Sequence, residues 1–391
     1  MIKPGNCVTF DDYASLVMVY IRSQFKGAVR RVDMVFVVYL VDSLKSSTRE
    51  HRGHGTRIRV EGRKKLPGNF PEFMRVSENK TELFYLIGSC INKEQFAGVV
   101  LVTYGKQVRC SESADVEGLS PCSHEEADNR MLLHAADGAR RGYKKVLIRT
   151  VDTDVVVLCV SLAEKLGCEC LWIAFGTGKS FRYINTTAVA EALGQQRCEV
   201  LSVFHALTGC DVTSCFAGKG KRTAWAAWQA FDYLSDALTN LVQTPTADDI
   251  SRALPSIERF IIIMCDRGSS ETNVNNARQD LFTRKQRQIE NIPPTQDALY
   301  QHMLRVGYQA GHVWGQSLVK QPLLPSPADF GWKYSLNRWV AKWMTLPPAG
   351  EACRTVINCG CLKGCKGLCR CLKAELPCTK LCKCGGCTQN E

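Results

Sequence analysis

The sequence lacks any apolar run long enough to cross a membrane. The longest one, residues 34–41, has eight residues, whereas a membrane-spanning helix needs about 20. Residues 1–7 also lack the charged and then apolar pattern of a secretory signal. We therefore expect an intracellular protein whose thiols stay reduced.

Cysteine is sparse over most of the chain and dense near its end. Of the 21 cysteines, 11 are scattered over residues 1–352 and ten fall between Cys353 and Cys387. Where thiols stay reduced, such a dense group predicts metal ligands rather than disulfides. The sequence thus divides into a cysteine-poor body and a cysteine-rich tail.

Acidic residues are outnumbered, because 38 Asp and Glu stand against 50 Lys and Arg and give a formal net charge of +12. Half of this excess comes from eight basic and two acidic residues within positions 45–65. Such a segment is either a solvated, mobile loop or an arm that binds a polyanion, and composition does not choose between them. The candidate nucleic-acid contacts in this arm are Arg49, Arg52, Arg57 and Arg59.

The body has the pattern of an α/β protein. Runs of β-branched and aromatic residues predict buried strands at 32–40, 98–104, 145–151 and 170–175. Between them, the apolar spacing of residues 123–141 predicts a helix that begins at Ser123 as its N-cap. This alternation favours a mainly parallel sheet with flanking helices on both faces.

After about residue 201 the pattern becomes helical. Helices are expected over 201–208, 222–238, 274–290 and 295–319, and a segment rich in Pro and Trp follows. We expect three domains. They are a body over 1–245, a helical extension with the Pro/Trp-rich segment over 246–348, and the cysteine-rich tail over 353–390.

Three sets of acidic residues fall where a parallel sheet is expected to bind its ligand, at strand ends or in an adjoining turn. Two Mg2+ ions about 4 Å apart need several carboxylate oxygens, so such a cluster suits phosphodiester hydrolysis. Each set alone also has a structural explanation, as helix-dipole, helix-cap or turn residues. The candidates are Glu126 with Asp128, Asp152 with Asp154, and Asp211.

The motifs Glu126-Ala-Asp128, Asp152-Thr-Asp154 and Gly209-Cys-Asp211 resemble the acidic signatures of the flap-endonuclease and XPG-type 5′ nucleases, which have a PIN-like fold. The resemblance implies that the five acids bind Mg2+ or Mn2+ as the catalytic centre of a structure-specific endonuclease. The segment after the last acid is similar to the glycine element that opens the DNA-binding helix pair of these nucleases. Its candidate phosphate contacts are Lys219, Lys221 and Arg222.

Two departures from this nuclease pattern predict a weak or degenerate centre. The family has an Asp at the end of its first strand and another at the end of the next strand. Here the chain begins too close to the 32–40 strand to hold the first, and Val37 stands in place of the second. Asp33 is four residues away from that position, about 13 Å along a strand, and is too far to substitute. We therefore expect an N-terminally incomplete nuclease-like domain.

The tail has the spacing C-x-C-x3-C-x3-C-x-C-x6-C-x3-C-x-C-x2-C. Nine thiolates can saturate three tetrahedral Zn2+ ions if three of them bridge. This spacing resembles the CXC module of tesmin-type proteins, some of which bind DNA, although Leu368 stands where those modules place a minor-groove tyrosine. A metallothionein-like store and a disulfide knot are the alternatives. The predicted ligands are Cys359, Cys361, Cys365, Cys369, Cys371, Cys378, Cys382, Cys384 and Cys387, which leaves Cys353 outside the pattern.

Taken together, these patterns predict a nuclear, nucleic-acid-associated zinc protein with DNA as its expected partner, RNA remaining open. Long stretches, such as Phe204-His-Ala-Leu-Thr-Gly-Cys-Asp211, also resemble an uncharacterised, transposon-associated group of invertebrate proteins. One alternative is a non-catalytic DNA- or chromatin-binding protein of mobile-element origin, and another is a structural or interaction protein. His124, His134 and His205 lack ligand partners at metal spacing, so we expect core or surface roles for them.

Overall fold

The computed structural model of the protein describes residues 2–40, 42–46, 55–283 and 291–345 without interruption. In the tail it describes 359–362, 365–367, 369–373, 376–378 and 382–384. The chain separates into two compact units, Met1–Lys342 and Trp343–Glu391. Each unit is considered by itself, and the three domains expected from the sequence stay a prediction.

The first part of the large unit alternates strands with helices, as the sequence pattern predicts. Helix α1 begins at Thr9, whose hydroxyl accepts a hydrogen bond from the Asp12 amide while the Asp12 carboxylate accepts one from the Thr9 amide. The elements are α1 (Phe10–Gln24), β1 (Arg31–Met34), α2 (Phe70–Phe73), α3 (Ser77–Cys90), β2 (Val99–Tyr104), β3 (Gln107–Cys110), α4 (Ala127–Arg140), β4 (Lys145–Thr150), α5 (Thr153–Ser161), β5 (Cys170–Phe175) and β6 (Arg182–Asn185).

The second part of this unit is helical and ends in a hairpin. Its longest helix, α10, begins with a second capping box, formed by Thr246 and Asp249. The elements are α6 (Thr186–Leu193), α7 (Gln195–Leu207), α8 (Lys221–Gln229), α9 (Tyr233–Thr239), α10 (Ala247–Cys265), α11 (Val274–Thr283), α12 (Gln296–Val306), the π-helical segment Gly307–Trp314, β7 (Trp332–Ser335) and β8 (Arg338–Ala341). None of the helices in the described ranges is long and apolar enough to cross a membrane.

The mixed α/β class is confirmed, but the strands do not form one mainly parallel sheet within the described residues. They form two three-stranded sheets, β1-β2-β3 and β4-β5-β6, and the β7-β8 hairpin. Each three-stranded sheet has one parallel pair followed by one antiparallel pair. A second discrepancy concerns coverage, since the β4-β5-β6 sheet leaves Leu147 59% and Tyr183 61% exposed on one face.

Several boundaries predicted from the sequence were wrong. Helix α7 begins at Gln195 rather than at 201, the helix expected over 222–238 is two helices, and two further boundaries lie beside contacts with distant segments. The strand expected over 32–40 ends at Met34, after which the Phe36 ring stacks on Phe84 at 4.0 Å. Helix α4 begins at Ala127, with Glu126 as its N-cap, rather than just after Ser123, whose amide donates to the Lys320 carbonyl of a distant segment. Contacts far apart in sequence therefore override the local preferences of these residues.

The largest core cluster joins the second sheet to the helices that follow it. Leu171 and Ile173 of β5 and Val203 of α7 are fully buried in it. Helix α10 adds a continuous apolar stretch that includes Phe260 and Ile261. This core fixes the ends of β4, α7 and α8, and those ends carry most of the candidate site residues.

Acid is expected to destabilise this core through His302 of α12. The fully buried His302 ring donates from Nε2 to the Leu207 carbonyl oxygen at 2.9 Å, with the tautomer set by that acceptor. Burial, with a smaller effect of Arg305, lowers the pKa of His302 to about 4. The folded state therefore keeps the ring neutral while the unfolded chain takes up a proton below its ordinary pKa of about 6.5. Stability should fall by roughly 3 kcal/mol as the pH drops from 6.5 to 4.

Chemical denaturation of the wild type and of His302→Gln at several pH values measures this effect. As the pH falls, we expect the unfolding free energy of the wild type to decrease more than that of the variant. The comparison isolates His302 because every other titrating group is common to both proteins. Parallel pH profiles would contradict the assignment.

Candidate functional site

The five candidate acids lie on three neighbouring elements of the large unit. Glu126 is the N-cap of α4 and Asp128 lies in its first turn, while Asp152 is the N-cap of α5 and Asp154 lies in its first turn. Asp211 follows α7 in a turn where Gly209 adopts a φ of 106°. Strand β4 leads directly into Asp152, so the sheet places this acid at its carboxyl end.

The acids are close enough for their charges to raise the pKa of two of them, Asp128 and Asp152. Burial, and then the charge of Glu126, raises the pKa of Asp128 to about 8, with smaller contributions from Asp152 and Asp154. Burial also raises the pKa of Asp152, and the charges of Asp154 and Asp211 act in the same direction. The acids predicted from the sequence therefore lie close enough for their charges to interact, although they come from three separate segments.

Lys45, from the base of the basic arm, supplies positive charge to this cluster. Its Nζ lies 3.0 Å from Glu126 Oε1 and 3.9 Å from Asp211 Oδ2, and its side chain is only 19% exposed. Burial alone would lower the pKa of Lys45, but the carboxylates of Glu126, Asp128 and Asp211 raise it above the ordinary lysine value. Its ammonium group is thus the internal counter-ion of the acids.

The remaining contacts show which carboxylate oxygens of the cluster already have hydrogen-bond partners. Asp152 Oδ1 accepts the Asp154 amide at 2.9 Å, which is the ordinary role of a helix cap, and Asp154 Oδ1 lies 2.9 Å from Nε2 of buried His205. Glu126 Oε2 is buried without a hydrogen-bond partner. This orphaned oxygen fits a site that could accept a further cation, and carboxylates are the ligands that Mg2+ prefers.

The cluster is not a closed ligand set for one ion. Within the described part of the chain, the groups whose ligand atoms all lie within 4.8 Å of one another are made of tail cysteines, and none contains these acids. The Lys45 ammonium lies between Glu126 and Asp211 instead. A cation would therefore have to displace or rearrange Lys45 to bring the carboxylates together.

One predicted phosphate contact, Lys221, is engaged within the protein. Its Nζ donates to the His205 carbonyl at 2.9 Å, the Thr208 hydroxyl at 3.0 Å and the Gly209 carbonyl at 2.7 Å. It thereby satisfies acceptors at the carboxyl end of α7 that would otherwise lack donors. Lys219 and Arg222 lie on the same turn and helix start, and neither forms a salt bridge within the described ranges.

Residues 55–66, at the end of the basic arm, form hydrogen bonds and ion pairs with neighbouring segments. The structure therefore does not show them as a wholly mobile loop. The Asp11 amide donates to the Gly62 carbonyl at 2.8 Å, which ties this part of the arm to the start of α1. Arg57 pairs with Glu82 of α3, and Arg59 lies 3.4 Å from Glu61. The predicted contacts Arg49 and Arg52 fall outside the described residues.

The tail unit gathers its cysteine sulfurs into one cluster. Sγ–Sγ distances are 3.3 Å for Cys365–Cys378, 3.6 Å for Cys359–Cys384 and 3.7 Å for Cys371–Cys382. Three overlapping sets of four sulfurs each have all their atoms within 4.8 Å of one another, and Cys359 belongs to all three. The sets are Cys359 with Cys365, Cys378 and Cys384; Cys359 with Cys369, Cys371 and Cys378; and Cys359 with Cys361, Cys365 and Cys369.

These distances fit a metal-thiolate cluster. Tetrahedral Zn–S bonds of about 2.3 Å place neighbouring sulfurs about 3.8 Å apart, whereas a disulfide bond is about 2.04 Å long. None of the cysteines in the described residues forms a disulfide bond. The backbone amide of Leu372 lowers the pKa of Cys369 to about 6, which favours its thiolate form. Desolvation instead raises the pKa of Cys361 to about 11 and that of Cys371 to about 12. The cluster could therefore hold metal, while Cys353, Leu368 and Cys387 lie outside the described residues.

No model of a known protein family matches the chain, and the comparison with curated proteins finds no match. The resemblances of the body to flap endonucleases and of the tail to CXC modules thus stay predictions.

Sequence reasoning missed two residues of the acidic cluster. Lys45 belongs to a charge run that composition assigns to a surface arm, so its burial against Glu126 carries no local signal. His205 was expected to be a core or surface histidine, and the structure buries it against Asp154. Both placements depend on the packing of segments that are far apart in sequence.

The structure predicts that Lys45 stabilises the body by neutralising the acids. Lys45→Met keeps an apolar side chain of similar length but leaves Glu126 without its counter-charge, which should lower the unfolding free energy by about 3 kcal/mol at pH 7. Chemical denaturation measures this loss, and adding Glu126→Gln to the variant should recover part of it.

Lys144→Met is the matched control, because Lys144 pairs with Glu169 on the surface, where both side chains are more than 60% exposed. Exposed pairs of this kind contribute little to stability, because water and salt screen the two charges. Equal losses for the Lys45 and Lys144 variants would contradict the role of Lys45 as a buried counter-ion.

Proposed function

We propose that the protein is a nucleic-acid-associated zinc protein. Its tail carries a structural zinc cluster, and its body is a degenerate, flap-endonuclease-like domain. The observation that carries the proposal is the convergence of tail sulfurs into three four-membered sets that share Cys359. Such sharing is what bridging thiolates require when there are fewer thiolates than metal-sulfur bonds.

The sulfur arithmetic supports three zinc ions. Six terminal and three bridging thiolates supply the twelve bonds of three tetrahedral ions, and the sequence offers nine cysteines at the CXC spacing. The buried side chains of the described tail are Cys359, Cys369, Cys371 and Cys382. A module whose interior is sulfur needs metal in place of an apolar core, and binding would then supply its folding free energy.

The zinc cluster is tested by metal analysis of the purified full-length chain. We expect about three zinc ions per chain, measured by inductively coupled plasma mass spectrometry alongside protein quantification. Cys359→Ser should remove more zinc than Cys361→Ser, since Cys359 belongs to three sulfur sets and Cys361 to one.

Cys215→Ser is the control, because Cys215 is an exposed thiol of the large unit. It should leave the zinc content unchanged. A wild-type content of one zinc or none would contradict the three-ion cluster, and equal losses for Cys359→Ser and Cys361→Ser would contradict the shared ligand.

The proposed partner is DNA, held mainly through its phosphates. The tail from residue 351 has seven basic and three acidic residues, and the arm at 45–65 adds a net charge of +6. Lys366, Arg370, Lys373 and Lys383 lie among the described tail residues. Lysine and arginine bind phosphates without reading the base sequence, which agrees with Leu368 in place of the groove-reading tyrosine. A nuclear location follows from this partner and is part of the proposal.

In the body, the five acids would bind a divalent cation weakly at best. Glu126, with its orphaned oxygen, and Asp152, at the end of β4, would be the first ligands. A bound Mg2+ or Mn2+ would supply a polarised water for phosphodiester hydrolysis. Lys45 opposes this by neutralising the same carboxylates, and Val37 leaves the site one acid short. This charge balance favours a non-catalytic nucleic-acid-binding body over an active nuclease. A purely structural or protein-interaction role is the remaining alternative.

Nuclease assays with flap, hairpin and single-stranded DNA test the state of the body. With Mg2+ or Mn2+ present, we expect wild-type cleavage to be no faster than that of Asp152→Ala. Isothermal titration should show weak Mn2+ binding that strengthens in Lys45→Met, because the competing positive charge has been removed. Cleavage that disappears in Asp152→Ala would overturn the degenerate assignment.

A further inference from the structure

The β4-β5-β6 sheet has one face in the core, and its other face carries several exposed side chains. Side chains alternate between the faces of a strand, and Ile148, Leu171 and Ile173 point into the main core cluster. Their neighbours along the strands point the opposite way. There, Leu147 is 59% exposed, Trp172 36% and Tyr183 61%.

The strand register arranges these outward residues in two rows. Leu147 lies opposite Trp172 in the β4-β5 pair, and Trp172 lies opposite Asn185 in the β5-β6 pair. The next row contains Arg149, Ala174 and Tyr183. Paired residues share a face of the sheet, so the two aromatic side chains stand on one surface, one strand and one row apart. We call this surface the aromatic face, defined by Lys145, Leu147, Arg149, Trp172 and Tyr183.

The charge on the aromatic face has one sign. Lys145 and Arg149 are its charged members, and the outward positions of the three strands contain no Asp or Glu. Arg149 is positioned by a hydrogen bond, in which its Nη1 donates to the Tyr20 hydroxyl of α1 at 2.8 Å. Phe181, just before β6, packs edge-on against Tyr183 at a ring distance of 5.2 Å and widens the aromatic surface.

This composition selects among possible occupants. A second copy of the same face would bring Lys145 and Arg149 of one copy against those of the other, which like charges oppose. Exposed aromatic rings beside fixed cations are instead the elements that bind single-stranded nucleic acid, since bases stack on the rings and phosphates pair with the cations. Duplex DNA does not fit this mode, because its bases are already stacked on one another.

We propose that the aromatic face binds a single strand of nucleic acid, with unpaired bases stacked on Trp172 and Tyr183 and the phosphate backbone along Lys145 and Arg149. The inference rests on the proposed association with nucleic acid. It does not depend on the acidic cluster, on metal in the body or on the zinc cluster. It adds a binding surface made of residues other than those of the arm and the Lys219–Arg222 segment.

The test is fluorescence anisotropy of a labelled oligothymidylate titrated with the full-length protein. Trp172→Ala should weaken binding about tenfold, since each stacked base contributes about 1–3 kcal/mol. Tyr183→Ala should act similarly, and Trp172→Phe should keep most of the affinity because a ring remains. Binding of duplex DNA should be unchanged in all three variants.

Controls separate the face from general effects. Tyr233→Ala removes a 73% exposed aromatic ring from α9, and it should bind oligothymidylate like the wild type. Thermal melting checks that each variant is folded, and zinc content checks the tail. Tyr183 is the more exposed of the two aromatic residues, so its variant remains informative if Trp172→Ala is unstable.

The outcomes distinguish this inference from the proposed function. Single-strand binding that survives both Trp172→Ala and Tyr183→Ala would overturn the inference and leave the proposed function intact. A full-length protein that binds neither oligothymidylate nor duplex DNA would overturn both. If the variants instead convert a dimer into a monomer in sedimentation velocity without changing DNA affinity, the face is a contact between copies and the inference is wrong.

Discussion

The body of this protein depends on the neutralisation of acids gathered at the ends of three elements. Glu126, Asp128 and Asp154 are nearly buried, and carboxylates so placed repel one another and lose hydration. The structure offsets this cost with the ammonium group of Lys45 and with a raised pKa for Asp128. The same carboxylates could therefore either bind a cation or pair with Lys45 in a stably folded, metal-free body. Lys45 favours the metal-free body.

The interior of the tail differs in chemistry from the interior of the body. The buried positions of its described residues 359–384 are cysteines, while Leu362 and Leu372 are exposed. Thiols that converge without forming disulfides give little cohesion by themselves, whereas a shared metal replaces many weak contacts with a few strong bonds. The body is held by apolar packing around α10 and the second sheet, so the two units rest on separate sources of stability.

Local pattern predicted elements well where burial and propensity agreed. Strand β5 has the limits expected from its apolar run, and β2 and β4 differ from expectation by one residue each. Helix α10 was missed, although its capping box at Thr246 and Asp249 is a recognisable start signal. The strand predicted at 32–40 ended early, since the Phe36 amide donates to the Thr103 hydroxyl and the Val38 amide to the Glu125 carbonyl instead of continuing the sheet. Propensity is a weak prior wherever a distant contact competes with it.

The sequence by itself predicted the α/β class, the candidate acids and the tail cysteines as metal ligands, because each prediction depends on residue type and short-range spacing. That acids of three separate segments lie near one another is a result of the fold. Only the tertiary structure decided that Lys45 of the basic arm enters the acidic cluster and that Lys221 caps α7. It also decided that Trp172 and Tyr183, on one face of the second sheet, stay exposed. These features arise when segments far apart in the chain pack together, and charge and burial there follow from the packing rather than from neighbouring residues.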